Sequence, residues 1–389
     1  MGAKFLDQTA AIRAGAKAPI SARTVNAPVQ RGSTVLMPNA ASLYEPGQVS
    51  YGRAGLQPHA ALSEALCELE GAAAARLFPN GVAAMTGAMM ALLNAGDDVL
   101  VVDCIYDPTR RFCNKVLARF GVTTRYFHPN LSPQEVLALA VPATRMIVLE
   151  SPGSLTFEIQ DVPGIAALAR GRGILTVIDN TWGAAGLTFK PIGHGVDISV
   201  QSLTKYVGGH SDVFMGAALA RDAALGQKLD EVVWQMGWGV SPDDAYLMLR
   251  GLRTLPTRLE RHAASTLDIA AWLQAQPEVT EVICPSMPGS RGHDLWRRDF
   301  LGGNGLLTVV LTPKPQKAVY ALLDALRLFG LGFSWGGFES LAIHCDPQLK
   351  RRSLDWTYPG PLVRFHVGLE GIDDLKADLR QALDAYAAA

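Results

Sequence analysis

The sequence has 389 residues, of which 49% are hydrophobic, so the chain is long enough for two or three domains and apolar enough for a large core. Its 35 basic and 36 acidic side chains leave a net charge of −1. This near-neutral balance, without a run of about five or six basic residues, argues against nucleic acid or an anionic membrane surface as a partner.

The cysteines and the apolar stretches indicate the compartment. None of the five cysteines is spaced C-x-x-C, so the sequence predicts no metal site. An odd number of dispersed cysteines in a large chain is typical of a reducing compartment. The sequence has no apolar core of signal-peptide length near residue 1 and no uninterrupted apolar stretch of 18 residues. We therefore expect a soluble, cytoplasmic protein.

The first fifty residues are polar, rich in Pro and Gly and poorly periodic, which predicts an arm that packs on something else, such as another subunit. An Ala-rich stretch at about 59 to 75 predicts a helix, and a second helix is predicted between Asn80-Gly81 and Gly96. Short apolar runs then alternate with helical segments, and these runs lie at 98–103, 145–150, 174–179 and 197–202. This alternation predicts a parallel sheet covered on both faces.

After about residue 246 the pattern changes. A long helix is predicted over 247–276, interrupted only by Pro256. Two strand–helix units follow, at 305–326 and 361–389, and they predict a smaller C-terminal α/β domain.

Polar residues end the predicted strands, where ligands bind in open parallel sheets. These residues are Asp103, Glu150, Asp179 and Ser202, and Lys205 follows closely. A lysine that attacks a carbonyl must be neutral, and a partly dry pocket with cationic neighbours lowers its pKa toward that state. Taken alone, a lysine such as Lys205 is more often a surface loop residue, and an aspartate such as Asp179 is more often a turn or cap residue.

Two segments have the chemistry of a phosphate site. Ser202 and Thr204 offer short hydroxyl donors beside Lys205, and Asn80-Gly81-Val82 opens a helix whose free N–H groups bind anions. An ordinary helix cap would explain the Asn-Gly pair as well. A lysine, an acid and a phosphate cradle together indicate pyridoxal phosphate as the cofactor.

The segment "VIDNTWGAAGLTFKPIGHGVDISVQSLTKYVGGHSD" resembles the signature region of the Cys/Met-metabolism pyridoxal-phosphate enzymes. The resemblance extends along nearly the whole chain, through "YGRAG" at 51, "DCIYDPTRRFC" at 103, "RGLRTLPTRL" at 250 and "VRFHVGLE" at 363. "ESPGS" at 150 and "SWGG" at 334 are most similar to the bacterial cystathionine β-lyases of this family. The resemblance implies the aminotransferase-like fold type I, with a large, mainly parallel seven-stranded sheet and a smaller C-terminal α/β domain.

The resemblance also implies domain roles. Residues 1–53 would form an arm that contributes to a neighbouring subunit, 54–246 the cofactor-binding α/β domain and 247–389 the C-terminal α/β domain. The active sites would be shared between subunits of a homo-oligomer, and we expect a tetramer built as a dimer of dimers.

The family implies a role for each site residue. Lys205 would form the Schiff base with the cofactor and remove the Cα proton, and Asp179 would keep the pyridine nitrogen protonated. Tyr106 would stack on the ring and contact the substrate. The phosphate would be bound by Gly81, Val82, Ser202 and Thr204, and by Tyr51 and Arg53 of a neighbouring subunit. Arg364 would clamp the substrate α-carboxylate, and Ser334 and Trp335 would line the substrate pocket.

The activity that the resemblance implies is β-elimination from a sulfur amino acid, with L-cystathionine giving homocysteine, pyruvate and ammonia. The sequence departs from the family pattern at Leu56-Gln57-Pro58 and at Trp234, near the expected pocket mouth. A cysteine-S-conjugate β-lyase, a cysteine desulfhydrase, a γ-lyase and a γ-synthase therefore remain alternatives. A non-catalytic relative that only binds the cofactor is a more distant one.

Overall fold

The computed structural model describes residues 6–13, 24–354 and 357–389. Its α-helices are α1 (Asp7–Ile12), α2 (Gln57–Glu70), α3 (Gly81–Leu92), α4 (Asp107–Lys115), α5 (Pro133–Ala138), α6 (Val162–Gly171), α7 (Ala223–Gln235), α8 (Pro242–Gln274), α9 (His293–Asp299), α10 (Gln316–Ala325), α11 (Asp346–Leu349) and α12 (Ile372–Ala388). Its strands are β1 (Ala74–Phe78), β2 (Asp98–Val102), β3 (Thr123–Phe127), β4 (Thr144–Glu150), β5 (Leu175–Asp179), β6 (Ile198–Ser202), β7 (Gly216–Ala220), β8 (Val279–Ile283), β9 (Leu306–Leu311), β10 (Gly330–Leu331), β11 (Leu341–His344) and β12 (Leu362–His366). Short 3₁₀-helices lie at Ala41–Tyr44, Gly52–Ala54, Leu117–Phe120 and Thr181–Gly183. None of the helices in these residues is long and apolar enough to cross a membrane.

The larger sheet has seven strands in the order β1-β7-β6-β5-β4-β2-β3. Strands β6, β5, β4, β2 and β3 pair in parallel, and β7 runs antiparallel to both of its neighbours. Its central strands are continuous apolar runs because helices cover both faces. The predicted seven-stranded, mainly parallel sheet is confirmed, and its carboxyl ends bring Glu150, Asp179 and Ser202 to one edge.

The smaller sheet has five strands in the order β10-β11-β12-β9-β8. Only β10 and β11 pair in parallel, and the other pairs are antiparallel. Helices α10 and α12 pack together, and their apolar residues share one core with the strands of this sheet. The predicted boundary at 246/247 falls inside α8, which packs against both α2 and β8, and it stays a prediction.

The helix predicted over about 59 to 75 is shorter than expected. Helix α2 ends at Glu70, and Gly71 closes it in the left-handed conformation with φ of 74°. Residues 74–78 instead form β1, which pairs antiparallel with β7 at the sheet edge. The alanines have high helix propensity, but pairing in the sheet overrides such a local preference.

The predicted arm packs on its own chain only in part. Helix α1 buries Ala10 and Ala11 against α2 and α8. In contrast, Leu36 is 90% and Tyr44 is 89% exposed, and residues 24–53 contribute no strand to either sheet. A contribution of this arm to a neighbouring subunit stays a prediction.

The turn after β6 positions Lys205 and is held by helix α8. The Lys205 N–H donates to Ser202 O at 3.1 Å, and the Gly208 N–H donates to Leu203 O at 2.8 Å. The guanidinium of Arg258 on α8 donates to Tyr206 O at 2.8 Å. These bonds place the lysine directly beyond the carboxyl end of β6.

We expect Gly251→Ala to lower the free energy of unfolding by about 1–3 kcal/mol, the usual cost of overpacking. A Cβ at Gly251 would overlap the carbonyl oxygens of Val207 and Gly208 in the turn behind Lys205. The matched control is Gly171→Ala at the end of α6, where an added Cβ meets no atom within 4 Å. Denaturant unfolding of both variants checks the expectation, and equal stabilities would contradict it.

Candidate active site

A cavity of about 1110 Å³ lies at the carboxyl ends of β4, β5 and β6, between the two sheets. It brings together most of the residues that the sequence predicts for the site. The predicted residues in its wall are Gly81, Val82, Tyr106, Asp179, Ser202, Thr204, Lys205, Trp335 and Arg364. Ser334 contacts Lys205 directly, whereas Tyr51 and Arg53 do not line the cavity of their own chain.

The Lys205 amine is held between polar and aromatic groups. It donates a hydrogen bond to Ser334 Oγ at 2.8 Å and lies 5.4 Å from the centre of the Trp335 ring. Burial lowers the pKa of Lys205 to about 8, with help from the positive charge of Arg364 and against the charge of Asp179. Roughly a fifth of the amine is therefore neutral at pH 7.4, far more than at the ordinary lysine pKa, and a nucleophilic or basic lysine must be neutral.

Asp179 ends β5 and faces the same cavity. Its Oδ1 accepts hydrogen bonds from the Thr181 N–H at 3.0 Å and the Thr181 hydroxyl at 2.6 Å. Burial raises the pKa of Asp179 above its ordinary value, while these bonds and the Lys205 charge oppose the rise. A cationic N–H donor in the cavity would stabilise the ionised carboxylate.

The start of α3 forms an anion cradle. Asn80 caps the helix, and its Oδ1 accepts from the Ala83 N–H at 2.8 Å. A Cβ at Gly81 would lie 2.5 Å from the Ser202 Cβ, so only glycine lets the helix start approach the end of β6 this closely. The N–H groups at Gly81 and Val82 therefore lie beside the hydroxyl of Ser202, a suitable arrangement for a phosphate.

Arg364 on β12 is buried, with 6% of its surface exposed. Its Nη2 donates to the carbonyl oxygens of Phe333 and Ser334, both at 3.1 Å. Its Nε is buried and has no hydrogen-bond partner among the described residues. This free donor in the wall of the cavity is available to a carboxylate ligand.

Glu150 is a site residue for which the sequence predicts no specific role. It ends β4, lines the cavity and accepts the Tyr106 backbone N–H at 2.7 Å, which helps to set the tyrosine at the mouth. Burial and the neighbouring Asp179 raise the pKa of Glu150 well above its ordinary value. The sequence pattern that could have predicted Glu150 as a site residue is the same as for Asp179, namely a polar residue at the end of an apolar strand.

Tyr51 and Arg53 lie elsewhere within one chain. The Arg53 guanidinium stands 4.0 Å from the centre of the Trp234 ring and donates to Trp234 O at 2.8 Å. Tyr51 is 44% exposed and forms a β-bridge with Thr34. Their predicted contact with a phosphate in a neighbouring subunit stays a prediction.

The two departures from the family pattern also have physical explanations. Leu56-Gln57-Pro58 forms the start of α2, where proline is favoured because its missing N–H is not needed there. Trp234 lies on α7, 44% exposed, and stacks with Arg53.

The residues of the cavity fit pyridoxal phosphate. The amine of Lys205 suits its aldehyde, the carboxylate of Asp179 suits its ring nitrogen, and the cradle at Gly81 leaves room that a side chain would fill. The fold and the site therefore define a pyridoxal-phosphate-dependent enzyme of fold type I.

Comparisons with known proteins agree. The model of the family described as Cys/Met metabolism PLP-dependent enzyme matches residues 8–384, so the chain belongs to that family. The cystathionine beta-lyase of Salmonella typhimurium (strain LT2) is 42% identical over 97% of each chain, and cystathionine beta-lyase MetC of Escherichia coli (strain K12) is 41% identical over 97% of this chain and 98% of its own. The solved structure of cystathionine gamma synthase from Xanthomonas oryzae pv. oryzae, in complex with aminoacrylate and cysteine, is 32% identical, with a TM-score of 0.91 over 99% of each chain.

We expect the cofactor-free protein to react with pyridoxal phosphate faster as the pH rises, with half of the maximal rate near pH 8. Only the neutral amine attacks a carbonyl, and the pKa of Lys205 is lowered to about 8. Arg364→Met removes a charge that lowers this pKa, so the midpoint should move to higher pH. Stopped-flow absorbance measures both proteins.

The control for this titration is Arg221→Met, which removes an arginine paired with Asp197 outside the cavity. Its midpoint should equal that of the unchanged protein. A midpoint near the ordinary lysine value of 10.5 in the unchanged protein would contradict the expectation.

Proposed function

We propose that the protein catalyses β-elimination from a sulfur amino acid, converting L-cystathionine and water to homocysteine, pyruvate and ammonia. The observation that carries the proposal is the Lys205 amine, 2.8 Å from Ser334 Oγ in a cavity that also contains Asp179 and Arg364. In this arrangement Lys205 is the base, Arg364 is the cation for the substrate carboxylate, and Asp179 is the carboxylate for the ring nitrogen of the cofactor.

Several residues would hold the cofactor. Lys205 would bind it covalently through its amine, and Tyr106 would cover the ring face. Asp179 would accept a hydrogen bond from the ring nitrogen and so keep that nitrogen protonated. Gly81 and Ser202 would bind the phosphate, together with Val82 and Thr204. When bound, pyridoxal phosphate supplies an electron sink that stabilises negative charge at the substrate Cα.

The side chains of the cavity would then divide the remaining work. Arg364 would bind the α-carboxylate through two parallel hydrogen bonds and so orient the Cα–H bond. Once released by the substrate amine, Lys205 would take the Cα proton, since its pKa of about 8 leaves it partly neutral. Loss of that proton lets the C–S bond at Cβ break with its electron pair going to sulfur. The sulfur would then take the proton that Lys205 had removed and leave as a thiol. The released aminoacrylate hydrolyses to pyruvate and ammonia.

The comparisons favour β- over γ-chemistry. The relatives named cystathionine beta-lyase are 41% and 42% identical, whereas the cystathionine gamma synthase structure is 32% identical. The sulfur would be attached at Cβ, so proton loss at Cα alone would suffice for cleavage. Within β-chemistry, the candidate substrates are cystathionine and other cysteine S-conjugates.

The positive charge at the cavity mouth favours a substrate that has an anionic group at its far end. Arg111 and Arg351 both line the cavity and share one carboxylate oxygen, Asp107 Oδ2, at 2.7 and 3.1 Å. Two guanidinium groups beside one carboxylate leave this rim positively charged, and they have more N–H donors than the carboxylate can accept. The lining of the same cavity contains Leu331 and Phe333, which suit a thioether chain. Cystathionine has such a chain, with a carboxylate at its far end.

The assembly and compartment are part of the same proposal. We propose a homo-oligomer with shared active sites, a tetramer made of two dimers, in the cytoplasm. The exposed arm residues Leu36 and Tyr44 support subunit contacts there, because large apolar side chains cluster at interfaces. Tyr51 and Arg53 would reach the phosphate of the neighbouring subunit.

The purified holoenzyme should release pyruvate and homocysteine from L-cystathionine in equal amounts. Identifying the keto acid by chromatography tests this directly, since γ-cleavage would release 2-oxobutyrate instead. Lys205→Ala should lower turnover by about 1000-fold or more, within the range for loss of a positioned proton-transfer group. Lys228→Ala, an exposed lysine on α7, should leave turnover unchanged. 2-Oxobutyrate as the main product, or full activity without Lys205, would refute the proposal.

The double variant Arg111→Gln/Arg351→Gln should raise KM for cystathionine about 10- to 100-fold, the usual effect of losing charge-assisted hydrogen bonds. KM for S-methyl-L-cysteine, which lacks a distal carboxylate, should change less than about twofold. The control is Arg145→Gln, an exposed arginine near Asp97 that does not line the cavity. Equal changes in KM for both substrates would show that Arg111 and Arg351 do not bind the distal carboxylate.

A further inference from the structure

The motif "VRFHVGLE" contains a histidine, His366, to which the proposed mechanism gives no role. Arg364 and His366 stand two residues apart on β12, so their side chains project from the same face of the strand. Arg364 reaches the carbonyl groups of Phe333 and Ser334. His366 reaches the next part of the same segment, at Gly336 and Glu339.

We propose that His366 is a positioning residue that holds segment 334–336 against Lys205 and so keeps Ser334 Oγ on the lysine amine. The inference rests on the proposed function for its kinetic test and on the bound cofactor for its spectroscopic test.

One ring nitrogen of His366 binds this segment, and the other binds the chain just after it. The Gly336 N–H donates to Nε2 at 3.0 Å, and Nδ1 lies 3.0 Å from Glu339 O. Because a carbonyl oxygen only accepts, Nδ1 carries the proton and Nε2 is the acceptor, which fixes a neutral tautomer. Burial and the neighbouring His262 lower the pKa of His366 well below its ordinary value, in agreement with this neutral state.

Gly336 transmits this constraint to the lysine. Its φ is 87°, and an added Cβ would lie 2.7 Å from Tyr206 N and 2.9 Å from Lys205 C. The segment therefore rests on the backbone of Lys205 itself. A shift of Gly336 would move its neighbours Ser334 and Trp335. The Lys205 amine lies 2.8 Å from Ser334 Oγ and 5.4 Å from the centre of the Trp335 ring.

His262 offers a matched control inside the same core. It is as buried as His366, its ring lies 5.2 Å from the His366 ring, and both rings contact Tyr206. Its Nδ1 is bonded to Val367 O at 2.8 Å, and its Nε2 has no partner in the described part of the chain. His262 thus shares the packing of His366 but makes no hydrogen bond to segment 334–336.

The kinetic test compares His366→Leu with His262→Leu in the holoenzyme. His366→Leu should lower kcat about tenfold or more, since it leaves the Gly336 N–H without its acceptor and frees Ser334. In the Ser334→Ala background the same substitution should have little further effect, because both changes break one contact. His262→Leu should lower Tm but keep kcat within about threefold.

A second measurement needs no turnover. With the cofactor bound, the Lys205 nitrogen that loses Ser334 Oγ loses an acceptor for its proton. The pH midpoint of the visible absorption of the holoenzyme should therefore fall by about 0.5 or more in His366→Leu and stay fixed in His262→Leu.

Conservative variants cover the case in which His366→Leu does not fold. His366→Gln retains an acceptor at the reach of Nε2 and should keep kcat within about threefold, whereas the shorter His366→Asn should not. Equal kcat losses and midpoints in the His366 and His262 variants would overturn the inference. If no variant or unchanged protein releases a keto acid while the absorption midpoint still falls, the proposed function fails and the positioning role stands.

Discussion

The close contact between helix α8 and the turn after β6 determines where Lys205 stands. Only a glycine fits at position 251, and Arg258 on the same helix donates to Tyr206 O and to Gly251 O, both at 2.8 Å. Helix α8 also packs against β8 and β9 of the smaller sheet. One helix therefore contacts both the turn that carries Lys205 and the smaller sheet that carries Arg364, which helps to bring these two residues to one cavity.

The cavity balances charges that are costly to bury. Lys205 and Arg364 bring two cations together, and their repulsion adds to burial in lowering the pKa of Lys205 to about 8. Asp179 and Glu150 bring two carboxyl groups, and burial raises the pKa of each. A ligand with its own anions and a protonated ring nitrogen would offset both sets of charges. The electrostatics therefore favour the same type of ligand as the shape of the cradle.

Residues that follow directly from strand periodicity could be predicted from the sequence. Asp179, Ser202 and Lys205 end or follow apolar runs, and parallel strands bring their ends to one edge. The strand pairing of the smaller sheet could not be predicted, because short apolar runs do not specify direction. The contact of Ser334 with Lys205 depends on the packing of two sheets, so only the family resemblance pointed to Ser334. Arg111 and Arg351 bind the same carboxylate although they lie 240 positions apart in the sequence. No local sequence pattern predicts that they meet.

The composition of the phosphate cradle bears on the assembly. Gly81, Val82, Ser202 and Thr204 are all uncharged, so one chain offers a dianion only hydroxyls, N–H groups and about half a positive charge at the start of α3. The cations that line the cavity have other partners. Lys205 donates to Ser334, Arg364 donates to the segment beside it, and Arg111 and Arg351 form ion pairs with Asp107. A phosphate bound here therefore favours a guanidinium from outside the chain. Arg53 is suitable because it lies on an arm segment whose neighbour Tyr51 is exposed. Among the described residues its guanidinium contacts the rings of Trp234 and Tyr51 and the Trp234 carbonyl oxygen, and these contacts leave its charge unpaired by an acid. The charge of the cofactor would thus give a physical reason for the proposed sharing of active sites between subunits.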